Sequence, residues 1–189
     1  YRRLDVPGGT LQGVSYCATC DGAFYKDKIV AVIGGGDTAL GDAMYLSRMA
    51  KKVYLVHRRQ EFRANQALQT AVQQNAAIEL VLDAVPTAVL GEKRVDHLEL
   101  LQNGTSKTLP VDGVFVAIGS IPNTDFLGDL CKLDESGYIL ADETGVTTTP
   151  GVFAAGDVRT TPLRQVVTAV ADGANCVQSI EQYFRKGNG

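Results

Sequence analysis

The 189 residues are enough for one sizeable core or two small ones, and 45% hydrophobic with 21% charged residues is an ordinary globular balance. A net charge of −3 gives no general attraction to nucleic acid or to an anionic membrane. No apolar run approaches the roughly 18 residues of a membrane-spanning helix, and "YRRLDVPGG" lacks the apolar core of a secretory signal, so a cytoplasmic location is expected.

The first informative run is "SYCATCDGAF", residues 15–24, in which Cys17 and Cys20 stand two residues apart and Asp21 follows. Structural zinc needs four ligands, usually two such pairs. There is no second CxxC, and His57 and His97 are not at metal spacing, so no metal is expected. A CxxC near a β-α-β pattern in a cytosolic chain reads as a redox pair, and a helix starting at the pair would favour a thiolate. Asp21 is either an acid that moves protons as thiol and disulfide interconvert or simply a helix-start acid. Cys131 and Cys176 read as ordinary buried thiols.

"KIVAVIGGG", from Lys28, reads as a buried parallel strand feeding a tight turn. "DTALGDAMYLSRMA" follows with apolar residues at helical spacing, and Asp37 or Thr38 is the expected cap. "KKVYLVHRR" supplies the next strand, which completes a β-α-β unit of mononucleotide-binding type. Gly34, Gly36 and Ala39 fit G-x-G-x-x-G/A: the first allows the tight turn, the second lets backbone approach a pyrophosphate, and the third allows close helix–strand packing. After the second strand an NAD site carries an acid for the ribose 2′-hydroxyl. Here stand His57, Arg58 and Arg59, then Arg63. Such cations pair with a 2′-phosphate, so the site should prefer NADPH. NADPH delivers a hydride, and a flavin normally stands between hydride and disulfide, so a flavin site is expected as well.

Further along, "ANQALQTAVQQN" reads as a helix, and "AIELVLDAV", "PTAVLGE" and "RVDHLELLQNG" as strands, the last two paired by a turn near Gly91. "NGT" at Asn103 signals another hairpin. "LPVDGVFVAIG" reads as one buried strand, "SIPNT" as a linker, "GVFAAGDV" as a strand ending in Gly-Asp, and "LRQVVTAVADGANCVQSIEQYF" as a helix.

In "GVSYCATCDG", "GGGDTAL", "HRRQEFRA", "VFVAIGSIPNT", "GVFAAGDV" and "RQVVTAVADGA", taken in this order, the chain resembles the low-molecular-weight thioredoxin reductases. The resemblance implies an α/β fold with a Rossmann-like NADPH-binding domain of three layers, including a β-meander, plus the C-terminal part of a second Rossmann-like domain that binds FAD. The expected division is a linker at 1–8, an NADPH-binding domain carrying the CxxC pair at 9–121, and the FAD-domain part at 122–189. Catalytic roles would fall to Cys20, facing the flavin, to Cys17, attacking the disulfide of thioredoxin, and to Asp21, protonating the departing thiolate. NADPH would be held by Gly34, Gly35, Gly36, Asp37 and Thr38 at the pyrophosphate and by Arg58, Arg59 and Arg63 at the 2′-phosphate, and His57 and Gly119 would also bind cofactor. FAD would meet Gly156, Asp157 and Val158 at its ribityl chain and Arg164, Gln165 and Val166 at its ring system. The resemblance also implies a homodimer and a rotation of the NADPH domain about hinges near 6–9 and 120–123.

The family's first Gly-rich β-α-β unit, which binds the ADP half of FAD, should precede Tyr1. This chain alone is therefore expected to bind NADPH without holding FAD tightly, to be inactive by itself, and to expose apolar surface in its last segment. Two departures stand out: Gly41 occupies a position where the family usually has an acid, and Gln60 replaces a common Asp. The alternatives to a thioredoxin reductase are a related flavoprotein serving a peroxiredoxin system and a non-catalytic NADPH-binding module.

Overall fold

Five strands form a parallel sheet in the order β1 (Val14–Ser15), β8 (Gly113–Val116), β2 (Ile29–Ile33), β3 (Lys52–Val56) and β4 (Ile78–Val81). The side-chain period of two sorts its core into two layers. Val30, Val32, Val53 and Leu55 face α2 (Asp37–Leu46) and α3 (Gln66–Gln73), where they meet Leu40, Ala43, Leu46 and Val72. Ala31, Ile33, Tyr54 and Val56 face the opposite way, onto Leu98, Leu100 and Leu109. Those leucines belong to an antiparallel meander of β5 (Ala84–Leu90), β6 (His97–Gln102) and β7 (Thr105–Pro110). The result is the expected α/β arrangement of three layers. Leu98 and Leu100 are fully buried, a burial that stabilises by about 1.5–3 kcal/mol for each side chain.

This computed structural model describes residues 2–187; Tyr1, at the start of the expected linker, and Asn188 and Gly189, at the end of the expected last segment, lie outside the described residues. The chain divides into two compact units, residues 1–120 and 121–189. In the first unit residues 2–8 are packed rather than extended: Leu4 and Val6 join the meander core, and Pro7 O accepts from Val89 N at 2.8 Å.

Several expected elements differ. "AIELVLDAV" is not one strand: β4 ends at Val81 and β5 begins at Ala84, and the chain changes sheets through Asp83, at φ 50°. "LPVDGVFVAIG" likewise splits between β7 and β8. Pro110 ends the meander strand, and the Asp112 carboxylate turns away to accept from Ile29 N at 2.8 Å. The Gly91 turn pairs β5 with β6 as expected, and Asn103 and Gly104, at φ 49° and 78°, make the second hairpin. The edge strand β1 had no signal beyond two residues of suitable type.

The α2 cap also differs. Its N-cap is Gly36, not Asp37 or Thr38. The Asp37 carboxylate instead accepts from Asn65 N at 2.9 Å and Asn65 Nδ2 at 2.8 Å, while Asn65 Oδ1 caps α3. One aspartate thus links the two helix starts. α2 also ends at Leu46, short of the expected 50. A Cβ on Gly41 would meet nothing within 4 Å, so this helical glycine answers to no close approach and costs about 1 kcal/mol relative to Ala.

The second unit has a small core of Cys131, Ile139, Ala141 and Ala154 and one long helix, α4 (Val166–Arg185). "GVFAAGDV" is not a regular strand. Among the described residues it makes one isolated bridge, Phe153 to Val146, and then turns in a 3₁₀ segment, Gly156–Val158, entered with Gly156 at φ 78°. α4 exposes Val166, Val167, Val170 and Val177, the apolar exposure expected of this segment.

Candidate redox and nucleotide sites

Cys17 and Cys20 are joined as a disulfide, with a Cα–Cα distance of 5.3 Å. The pair sits where β1 turns into the short helix α1 (Ala18–Asp21), and Cys17 is the N-cap: its Sγ accepts from Cys20 N at 3.2 Å. A backbone N–H aimed at sulfur is an arrangement that favours thiolate over thiol. Cys20 is exposed and Cys17 half-buried.

Three contacts fix this loop to the unit. Ala18 is buried. Gly22 lies so close to α2 that a Cβ there would sit 3.0 Å from Leu46 and Tyr45. The Tyr25 ring covers Gly113 of β8, where a Cβ would be 2.2 Å away, and packs edge-on against Phe115 at 5.1 Å. Burial, then the nearby Asp21 charge, raises the Tyr25 hydroxyl above its ordinary value, so it keeps its proton at neutral pH. The sequence reading missed Ser15. It is buried and its Oγ donates to Asp21 Oδ2 at 2.7 Å while accepting from Cys17 N at 3.1 Å. Its only signal was a serine two residues before a cysteine, a spacing that suits a local side-chain to backbone turn.

The glycine-rich turn lines a cleft of about 460 Å³ with Thr38, His57, Arg58, Arg63 and Gly119, and residues 2–6 form another wall. Gly34 stands at φ 151°, and a Cβ there would lie 2.3 Å from Ala117 O. At Gly36 a Cβ would meet nothing within 4 Å, which leaves the backbone at the start of α2 open to a ligand. Helix-start N–H groups facing such an opening suit an anion. Gly119, at φ 106°, is equally open, and its carbonyl accepts from Arg2 N at 3.0 Å.

His57 has a different place from its arginine neighbours. It is buried beneath Gly35, whose Cβ would fall 2.2 Å from the ring, and stacks on Phe62 at 5.3 Å. Its Nε2 pairs with Glu61 O at 3.1 Å, and Arg63 N donates to Gly35 O at 2.8 Å. Burial holds the imidazole below its ordinary 6.5, the Glu61 bond opposes this, and the charges of Arg58, Arg63 and Arg59 add to the lowering. A neutral His57 thus braces the arginine loop against the glycine turn. Of the expected site residues in this unit, Gly34, Gly35, Gly36, Thr38, His57, Arg58, Arg63 and Gly119 come together. Arg59 is exposed outside the cleft lining, and the carboxylate of Asp37 is committed to Asn65.

In the second unit the Gly156–Val158 turn packs against α4, with Asp157 exposed and Val158 packed on the small core. The turn is held by Asp172, whose Oδ2 accepts from Gly156 N at 2.9 Å and from Arg159 Nε at 2.7 Å, while its Oδ1 accepts from Arg159 Nη2 at 2.5 Å. Gln165 caps α4 and Val166 is exposed at its start. The Arg164 guanidinium lies 4.0 Å above the Tyr138 ring, and among the described residues its buried Nε has no hydrogen-bond partner. An exposed carboxylate on a glycine turn suits a polyol, and an unsatisfied buried donor suits an acceptor on a ligand. The residues present therefore fit part of a flavin site.

The chain matches the pyridine nucleotide-disulphide oxidoreductase family over residues 1–173. It is 43% identical over 192 residues to a thioredoxin reductase of Listeria innocua, covering 98% of this chain and 60% of that protein. To a thioredoxin reductase of Treponema pallidum it is 40% identical, covering 97% and 61%. Among solved structures, the thioredoxin reductase from Streptococcus pyogenes superposes with a TM-score of 0.93 at 40% identity, covering 98% of this chain and 63% of that one. The enzyme from Giardia duodenalis gives 0.87 at 38%, covering 97% and 62%. The chain thus spans about 60% of the length of the curated relatives it matches. With a disulfide capping a helix beside a glycine-rich β-α-β turn, and with a family match over most of its length, the chain belongs to the pyridine nucleotide-disulphide oxidoreductases.

Proposed function

We propose that the chain carries the NADPH site and the redox disulfide of a thioredoxin reductase, together with the C-terminal part of its FAD site. One observation carries the reading: the Cys17–Cys20 disulfide caps α1 in the same unit that holds the Gly34, Gly35 and Gly36 cleft with Arg58 and Arg63. The relatives, all thioredoxin reductases, support the choice of acceptor. Residues 9–121 form the nucleotide domain and 122–189 the FAD-domain part, with residues near 6–9 and 120–123 as hinges. The assembly is a cytoplasmic homodimer; among the described residues no helix is long and apolar enough to cross a membrane.

The start of α2 binds the pyrophosphate, and Arg58 and Arg63 bind the 2′-phosphate. Gly156, Asp157, Arg164, Gln165 and Val166 would hold FAD, which would supply the two-electron relay between a hydride donor and a disulfide. Reduction leaves Cys17 as the nucleophile, because its sulfur receives the Cys20 N–H. The Cys17 thiolate attacks the thioredoxin disulfide, forming a mixed disulfide and releasing one thioredoxin sulfur. Cys20 then attacks Cys17, which restores the internal disulfide and frees reduced thioredoxin. Asp21 gives and takes the protons at the departing sulfurs.

With the family's first Gly-rich unit and FAD both supplied, Cys17→Ser and Cys20→Ser should each lower NADPH-dependent reduction of thioredoxin by about a thousandfold or more, while NADPH binding stays unchanged. Turnover at the parental rate by either variant would remove the pair from the reaction.

A further inference from the structure

We propose that Ser15 is a positioning residue for the acid of the redox pair, holding the Asp21 carboxylate against the Cys17–Cys20 loop. The inference rests on the proton-handling role given to Asp21 above. Ser15 is 5% exposed, so its hydroxyl must find its partners inside the protein. Its single proton has two acceptors within reach, Asp21 Oδ2 at 2.7 Å and Cys17 O at 3.3 Å. The shorter contact is an O–H donated to a carboxyl oxygen, which fixes where that oxygen sits. The lone pairs of the same oxygen accept from Cys17 N at 3.1 Å, and Asp21 N donates to Cys17 O at 3.1 Å. One hydroxyl therefore ties Asp21, the last residue of α1, to Cys17, the residue that caps it.

The geometry also explains the choice of side chain. An alanine would leave Cys17 N and one carboxylate oxygen of Asp21 to find other partners. Asp21 is half-buried and sits on a four-residue helix that supplies few other restraints. Freed of Ser15, it can turn towards water, and the proton it hands to a departing sulfur then has farther to travel.

The step can be followed with dithiothreitol as the dithiol. Its thiolate bonds to one sulfur of the pair, the Cys17–Cys20 bond breaks, and the departing sulfur takes a proton. The second dithiothreitol thiol then closes the reagent into a ring, and two electrons and two protons have passed to the pair. The rate of this opening is measured at neutral pH in the parent, Ser15→Ala, Asp21→Asn and the double variant, with binding of 2′,5′-ADP as the check that the unit is folded. Ser15→Ala should slow opening about tenfold, and the double variant should be no slower than Asp21→Asn alone, because Ser15 acts only through Asp21. If Ser15→Ala folds poorly, Ser15→Thr is compared with Ser15→Val. These two are nearly the same shape, and the hydroxyl should again carry about a tenfold difference. A Ser15 effect that multiplies unchanged onto Asp21→Asn, or no Ser15 effect at all, would overturn the inference while leaving Asp21 as the acid. An Asp21→Asn rate equal to the parent's would remove that role of Asp21, and the inference with it.

Discussion

Arg58→Ala combined with Arg59→Ala weakens NADPH binding by about a hundredfold and NADH binding by less than about threefold, measured by calorimetric titration of both nucleotides. The two nucleotides differ only in the 2′-phosphate, so a cation that serves that group acts on one and not the other. The structure divides the effect unevenly. Arg58 and Arg63 line the cleft and Arg59 stands outside it, so Arg58→Ala alone should account for most of the loss. All three arginines are exposed, so the selectivity should also shrink as salt is raised. Equal loss for NADPH and NADH would sink the 2′-phosphate assignment. It would leave the cluster as a solvated basic loop that happens to be braced by His57.

Asp172→Ala lowers the stability of the second unit by about 3–5 kcal/mol, the usual result of removing one partner from a buried ion pair. Arg159 and Asp172 are 6% and 5% exposed. The alanine variant leaves Arg159 Nε, Arg159 Nη2 and Gly156 N without their acceptor and a buried charge without its counter-ion. The Gly156–Val158 turn should loosen with it. Asp172→Asn keeps the shape and should cost less. The chain has no Trp, so urea unfolding is followed by circular dichroism or tyrosine fluorescence. The bonds from Arg159, then that from Gly156, outweigh burial and hold the Asp172 carboxyl below its ordinary 3.8. A carboxyl depressed on folding contributes its full stability above the unfolded value and loses it as pH falls towards the folded one. The second unit should therefore weaken below about pH 4, and Asp172→Asn should remove that part of the acid sensitivity. An alanine variant as stable as the parent would contradict a structural role for the pair.

The parts of this architecture that were legible in the sequence are those set by neighbours along the chain. "KIVAVIGGGDTAL" encodes strand, turn and helix within a few residues, and the turn at Gly91 and the Asn103–Gly104 pair declare their hairpins by residue type. Where an apolar run crosses from one sheet to another, local pattern gives no sign of it. Both "AIELVLDAV" and "LPVDGVFVAIG" look continuous because β-branched residues suit either sheet. Only the packing at Asp83 and at Asp112 separates their halves. The same limit applies to the polar residues. Asp37 looked like a cap and is spent on Asn65, 28 positions away. His57 looked like one more cation at the nucleotide and is a neutral brace under Gly35. Ser15 carried only the weak signal of a serine two residues before a cysteine, and the Arg159–Asp172 pair carried none, because the fold brings those two together.

The most direct test of the whole reading is to ask where electrons from NADPH go. The chain, joined to the family's first Gly-rich unit and loaded with FAD, is treated without oxygen with one equivalent of NADPH. Accessible thiols are then alkylated in the folded state and located by mass spectrometry. Label is expected on Cys17 and Cys20, none before NADPH is added, and little at any time on Cys131 and Cys176, which are buried. NADPH oxidation and reduction of thioredoxin while Cys17 and Cys20 stay joined would contradict this reading.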